Sequence, residues 1–400
     1  MQLDVKIMAE QIKRVYGLQF GLLCLSSFLF FSSFNMIIPE LPDYLTSLGG
    51  EEYKGLIIAL FTLTAGLSRP FSGKLADRIG RVPVMVAGGV VCIVAGFMYP
   101  LVGSVAAFLL LRFIHGFSTG FTPTGKSAYV ADVVPVERRG EAMGLLGLSG
   151  SLGMAAGPAL GGFIAAHYNV DVMFYASSAA AFLSVAVIWH MHETVKNPQR
   201  FRLGLLRISR KELVEPRVLA PSLVMLLTAF SFGTILTIIP DFSEYLGIEN
   251  KGLFFTSFTL SSLTIRFLAG RASDRYGRVA VLRVSTGLLT LAMLVIGTVS
   301  SATELLLAGV LFGMATGMNS PTVYAWTIDL SHEEHRGRAM ATMYIALEAG
   351  IGLGALCSGW LYGNESSNFT LVFWTAAVFS LMAFLYLVLV VRRKAVLHYS

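Results

Sequence analysis

The chain has 400 residues, 55% of them hydrophobic and 14% charged, with a mean hydropathy of +0.69. A soluble domain carries about 25% charged residues, so a water-soluble globular fold is excluded. The net charge of +6 does not mark a nucleic-acid partner, because the basic residues gather at alternate ends of long apolar runs.

Twelve such runs lie at about 17–38, 55–73, 83–103, 105–129, 141–166, 172–191, 218–240, 253–270, 280–299, 303–328, 339–362 and 370–391. A run of about 20 residues matches the roughly 30 Å hydrocarbon core of a bilayer. The stretch before the first run is polar, and that run is long enough to span, so no cleavable leader is expected. Placing the N-terminus in the cytosol leaves only Lys54 and Lys251 as basic residues in outward loops. Lys6, Lys13, Arg14, Arg138, Arg139, Arg336, Arg338, Arg392, Arg393 and Lys394 then fall inside. This positive-inside bias predicts cytosolic termini.

The first run holds Asn35 and ends in IIPELPDYL, with Glu40 and Asp43 at its outer end. The second is followed by GKLADRIGRV at 73–82. Gly73 and Gly80 are expected to shape a tight turn, and Arg78 and Arg81 to hold it inside. Neither need explains Asp77. An acid there can accept bonds from backbone N–H groups at a nearby helix N-terminus.

In the fourth run Arg112, His115, Thr119, Thr122 and Lys126 fall within a sector about 80° wide at 100° per residue. Arg112 lies about 10 Å below the outer surface by helix rise. It cannot be neutralised, so it needs a partner or a wet cavity. His115 either titrates near neutral pH or is a hydrogen-bonded packing residue. Lys126 either joins the same pathway or snorkels to the cytosolic surface. The fifth run reads GLLGLSGSLGMAAGPALGG and carries Gly144, Gly153, Gly157, Pro158, Gly161 and Gly162. Pro158 removes a backbone bond and is expected to bend its helix.

After a polar stretch at 193–217 with seven basic residues, the pattern repeats. At a constant shift of 197, Lys54-Gly55-Leu56 aligns with Lys251-Gly252-Leu253, Arg69 with Arg266, and Asp132 with Asp329. The charged loop returns as GRASDRYGRV, with Gly270, Asp274, Arg275, Gly277 and Arg278. The chain therefore divides into a six-helix half (1–192), a basic cytosolic linker (193–217) and a second six-helix half (218–400). The glycines of the fifth run are expected to pack against the other half. The tenth run carries Thr316 and Asn319 where the fourth has Thr119 and Thr122, and it lacks the bases. Glu348, whose counterpart is Ser151, is the carboxyl placed mid-helix in the eleventh run. An ionised carboxyl at that depth is costly unless paired. Glu348 is therefore either a proton carrier or the partner of a base in the fourth run.

GKLADRIGR resembles the loop motif of the major facilitator superfamily, and RFIHGFSTG resembles its fourth-helix motif, with His115 where glutamine is usual. The fifth-run glycine–proline pattern is similar to that of the twelve-span drug:proton antiporters. The resemblance covers essentially the whole chain. It implies an all-α fold of twelve transmembrane helices in two pseudo-symmetric halves, with the substrate site between them. It also implies that Asp77, with Arg81 and Asp132, meets the start of the eleventh helix as a latch when the cytosolic side is closed. Asp274 and Arg278 would meet the fifth helix in the same way.

The acid that many such antiporters carry in the first helix is missing here, where Asn35 is the polar residue of that span. Two or three basic groups against one acid favour a neutral or anionic solute. The expected function is efflux of a small organic solute by proton antiport, with uptake by symport as the alternative. A monomer in a bacterial cell membrane is expected, with lipid and a small-molecule substrate as partners. No cofactor beyond the proton gradient, no metal and no enzymatic activity are expected, for no nucleophile–base pair or phosphate loop is visible. Cys24, Cys92 and Cys357 read as packing residues.

Overall fold

The computed structural model describes residues 17–135, 138–206, 214–331 and 336–391. Lys6, Lys13, Arg14, Arg392, Arg393 and Lys394 lie outside the described residues. The long helices are α1 (Leu18–Ser47), α2 (Lys54–Arg78), α3 (Arg81–Leu101), α4 (Val105–Val133), α5 (Arg139–His167) and α6 (Val170–Trp189). They continue as α7 (Leu219–Tyr245), α8 (Gly252–Tyr276), α9 (Arg278–Ile296), α10 (Ala302–Leu330), α11 (Arg336–Tyr362) and α12 (Ser366–Val391). Eleven are long and apolar enough to cross a bilayer unbroken, and α8, bent by 45° between Arg266 and Leu268, makes the twelfth. No strand occurs among the described residues. The chain is a multi-span integral membrane protein. An even number of crossings puts Leu18 and Val391 on one face, the terminal face; the opposite one is the far face.

Local chemistry starts and stops these helices. Ser104 accepts a bond from Ala107 N at the start of α4, and Ser301 accepts one from Glu304 N at the start of α10. These two caps are copies of each other, and each satisfies an amide that the helix leaves unpaired. Glu193 does the same for α3, its carboxylate accepting from Arg81 N at 2.9 Å and Val82 N at 3.0 Å. Between α2 and α3 the backbone turns at Gly80 (φ 137°), and between α8 and α9 at Gly277 (φ 87°). Residues with a Cβ rarely adopt these angles. Gly73 and Gly270 take no part in these turns, since both sit inside helices, α2 and α8.

Within the first half α1 packs on α5 and α6, α2 on α4, and α3 on α4 and α6. The second half repeats this with α7 on α11 and α12, α8 on α10, and α9 on α10 and α12. Serine pairs bind helices where water is absent: Ser26 to Ser184 between α1 and α6, and Ser231 to Ser380 between α7 and α12, each at 2.8 Å. The most apolar window of α7 is 78% buried and that of α12 only 28%, so α7 is central and α12 faces lipid. The linker is more than a tether: Leu205 and Leu206 pack on Leu75, Ala76 and Val84 of α2 and α3.

The glycine-rich α5 differs from expectation. Gly153, Gly157 and Gly161 lie against the backbone of α1, at Phe28, Ser32 and Met36, within their own half. Its other side meets the other half from Ser151 onward, where Arg266 reaches Ser151, Pro158 lies against Gly252 and Gly162 against Asn250. Helix α5 runs as one element through Pro158, and its neighbour α8 is broken by a 45° bend between Arg266 and Leu268.

Gly80→Ala should lower the melting temperature of the detergent-solubilised protein, because a Cβ at this positive φ costs about 1–3 kcal/mol. Gly73→Ala, inside a helix with open space around it, should leave the temperature unchanged or raise it. Equal effects of the two would contradict the assignment of the turn to Gly80.

Candidate functional site

The halves meet along two helix crossings, α2 on α11 and α5 on α8. Small residues set the spacing of the first. A methyl on Gly359 would stand 2.7 Å from Gly55 Cα, and one on Gly66 would stand 3.3 Å from Glu348 Cβ. At that distance Arg69 of α2 reaches α11, where its Nη2 donates to Glu348 Oε1 at 2.7 Å. The Arg69 guanidinium lies 4.5 Å from the ring centre of Tyr344, and Tyr344 packs on Tyr324 of α10 with ring centres 5.7 Å apart. The Arg69 and Glu348 side chains are only 14% and 10% exposed. Losing one partner of such a buried pair costs about 3–5 kcal/mol, because the other charge stays behind.

The second crossing carries the copy of this contact. Arg266 Nη1 of α8 donates to Ser151 Oγ of α5 at 3.3 Å. A hydroxyl stands where the first crossing has a carboxylate.

Toward the far face the crossings are tied by ions and polar groups. Lys54 Nζ donates to Asp241 Oδ2 at 2.5 Å, joining α2 to α7. Lys251 binds Asp43 at the end of α1, and Glu244 of α7 at 2.8 Å. Asn250 Nδ2 donates to Ala159 O at 3.1 Å and Thr256 Oγ1 to Ala155 O at 2.9 Å. Burial works against the Lys251 charge, but its bonds to Asp43 and Glu244 outweigh this and hold the ammonium above the ordinary lysine range. The far face is therefore sealed, and each lysine bridges the two halves.

Helix α4 faces its own half. Arg112 Nε donates to Ile57 O at 3.0 Å, its Nη1 to Tyr99 Oη at 3.2 Å, and its guanidinium lies 4.6 Å from the Phe61 ring centre. His115 stands between Tyr99 Oη at 3.2 Å and Cys92 Sγ at 3.3 Å. Thr119 bonds back to Gly116 O and Thr122 reaches Met85 O of α3. Lys126 is 1% exposed, so it does not snorkel. Its ammonium has no hydrogen-bond partner among the described residues and lies 5.3 Å from the Phe30 ring centre.

The charged loops are built alike. Arg81 binds Asp77 and reaches Asp132 at 3.0 Å, and Thr194 also donates to Asp132, at 2.6 Å. Arg278 binds Asp274 at 2.5 Å and Asp329 at 2.9 Å. The Arg78 carbonyl accepts from Gln199 N, and Arg275 lies over the ring of Tyr276. Asp77 is 69% and Asp274 72% exposed. In this conformation each acid bonds within its own half, where a partner across the halves was expected. Residues 332–335, just before α11, lie outside the described residues.

Comparison with known proteins decides what kind of molecule this is. The family model for the Major Facilitator Superfamily matches residues 23–249 and 221–398. The chain belongs to the Major Facilitator Superfamily. It is 29% identical over 314 residues to the multi-drug resistance efflux pump PmrA of Streptococcus pneumoniae, covering 75% of this chain and 78% of that one. It is 23% identical over 341 residues to multidrug resistance protein 1 of Bacillus subtilis, covering 84% of this chain and 87% of the relative. The crystal structure of the human organic anion transporter MFSD10 superposes with a TM-score of 0.72 at 21% identity, over 94% of this chain and 99% of that one.

This superfamily fold gathers some of the expected residues and separates others. Glu348 is not a lone acid, and its base comes from α2 (Arg69) rather than α4. Arg112 and His115 lie among α2, α3 and α4 and make no hydrogen bond or ion pair with Glu348 among the described residues. Asn35 donates to Phe31 O and Thr316 to Phe312 O, each in its own helix, while Asn319 Oδ1 is buried without a partner among the described residues. Among the described residues no group of three or more His, Cys, Asp or Glu is placed to hold a metal. Sequence reasoning missed the far-face seal. Its signal was there: Lys54 and Lys251 are aligned by the repeat and are the two outward bases, opposite acids at the ends of the first and seventh runs.

Lys54→Asp should open the far face. A cysteine at Thr62, buried between α2 and α11, should react several-fold faster with an impermeant maleimide, and Asp241→Lys in the same chain should restore protection. The raised Lys251 pKa stabilises the sealed form at all pH below the ordinary lysine value and loses that contribution as pH climbs through the shifted one. Labelling should therefore stay low through neutral pH and rise only above about pH 10.4. Unchanged labelling in Lys54→Asp would contradict the seal.

Proposed function

We propose that this transporter exports small organic solutes in exchange for protons by alternating access. The observation that carries this is the Arg69–Glu348 pair, which joins the two halves inside the span. A relative named as a multi-drug resistance efflux pump supports export.

The positive-inside bias of the loops supports a cytosolic terminal face; the far face is then external, and it is closed in this conformation. Opening it means breaking Lys54–Asp241 and Lys251–Asp43 and rocking one half on the other. Ionised Glu348 ties α11 to Arg69. A proton on Glu348 replaces the charge pair by a weaker contact and lets the crossing loosen, so occupancy by the proton is read by the interface. Only a ligand that favours one arrangement over the other shifts the balance between them. Asp77 and Asp274 bond within their own halves here and would latch the opposite arrangement. The protein works as a monomer in the bacterial cell membrane, with the proton gradient as its energy source and no other cofactor.

Proteoliposomes with an imposed pH gradient test this against a panel of neutral and anionic aromatic solutes. The wild-type chain should concentrate at least one of them in exchange for protons. Glu348→Gln should keep downhill exchange but lose gradient-driven accumulation by roughly tenfold or more. Asp77→Asn should insert normally and slow turnover several-fold. Accumulation by Glu348→Gln at the wild-type level would show that Glu348 is structural and does not couple protons.

A further inference from the structure

The duplication left one arginine without its acid. Arg69 and Arg266 are equivalent across the 197-residue repeat, as are Ser151 and Glu348. Both arginines project from equivalent points on α2 and α8 onto equivalent points of the facing helix. Arg69 finds the Glu348 carboxylate at 2.7 Å, whereas Arg266 finds the Ser151 hydroxyl at 3.3 Å. Among the described residues Arg266 has no ion pair, and its Nε is buried without a partner. A guanidinium stays charged at any accessible pH. Inside the span a single uncompensated charge is costly, and a hydroxyl dipole offsets little of it.

We infer that Arg266 anchors a monoanionic group of the substrate, a carboxylate or its equivalent, in the place that Glu348 fills at the other crossing. This rests on the transport reading above and narrows it to organic anions. The surroundings say what the rest of the molecule looks like. Tyr344 lies beneath Arg69 and packs on Tyr324, which feels the charge of both Arg69 and Arg266. The two rings form an aromatic surface that begins beneath Arg69 and lies within electrostatic reach of Arg266. A flat aromatic body attached to the carboxylate can stack there while its charge meets the guanidinium bidentately. A dianion would also draw Arg69 away from Glu348, so one charge is the better fit.

The test is binding to the purified full chain in detergent, read as thermal stabilisation by 1-naphthoate, by its neutral analogue 1-naphthamide, and by chloride. Naphthoate should bind wild-type protein at least about tenfold more tightly than the amide, the size expected for one charge-assisted contact. Arg266→Gln should bring the two within about twofold. Ser151→Glu supplies a fixed carboxylate and should abolish the preference in the same way while keeping Arg266, which guards against a mere folding defect in the first variant. Equal binding of naphthoate and amide to the wild-type chain would overturn the proposal, as would a preference that survives in a folded Arg266→Gln or Ser151→Glu protein. Displacement of naphthoate by equimolar chloride would overturn the substrate assignment, since the site would then belong to an inorganic ion. The assay involves no pH gradient. If export fails in proteoliposomes while the binding preference holds, the direction or coupling is wrong and the anion site stands.

Discussion

An arginine inside a membrane cannot shed its charge, and the organisation of this protein follows from where its arginines find compensation. Arg112 is met by the Ile57 carbonyl, the Tyr99 hydroxyl and the Phe61 ring, all within one half. Arg69 is met by Glu348 in the other half. The first arrangement stiffens a helix bundle. The second makes the association of two bundles depend on a charge pair, and so on anything that removes one of the charges. The same logic recurs at the far face, where Lys54 and Lys251 each take an acid from the opposite half.

Duplication supplied a symmetric scaffold on which this chemistry became asymmetric. The copies agree where the backbone needs something. Ser104 and Ser301 cap equivalent helices, Gly80 and Gly277 make equivalent turns, and Arg81 and Arg278 bind equivalent pairs of acids. They differ where a solute or proton would be handled. Glu348 stands against Ser151, and Arg112, His115 and Lys126 of α4 stand against Gly309, Phe312 and Val323 of α10. A transporter needs both properties. Equivalent halves rock against each other with little change in internal packing, and unlike linings give the passage a preference.

The glycine-rich α5 shows how one motif serves two partners. Three of its glycines let α1 approach within the half, and from Ser151 to Gly162 it meets α8 and the residues before it across the interface. A helix shared in this way transmits displacement of one half to the core of the other, because packed surfaces shift between discrete arrangements rather than deform smoothly.

By itself the sequence determined the class of molecule, the twelve spans, the repeat and four of the ionisable groups buried in the span, Arg112, His115, Lys126 and Glu348. These depend on local composition, on helix period and on self-similarity, all of which are written along one dimension. Even the terms of the Arg69–Glu348 contact were visible, since the repeat marked Arg69 with Arg266 and Glu348 with Ser151. Which base meets which acid was not visible. Arg69 and Glu348 are separated by 279 residues, and helical spacing relates residues only within a helix. The tertiary structure decided that α4 turns its bases inward to α2 and α3, that most α5 glycines face α1, and that Gly73 lies in a helix rather than a turn. It also showed that two lysines, which loop charge alone marked as exceptions, each bridge the two halves. The physical reason is the same in each case: partners across two halves are chosen by how closely the helices approach, and that distance is set by small residues on both helices at once.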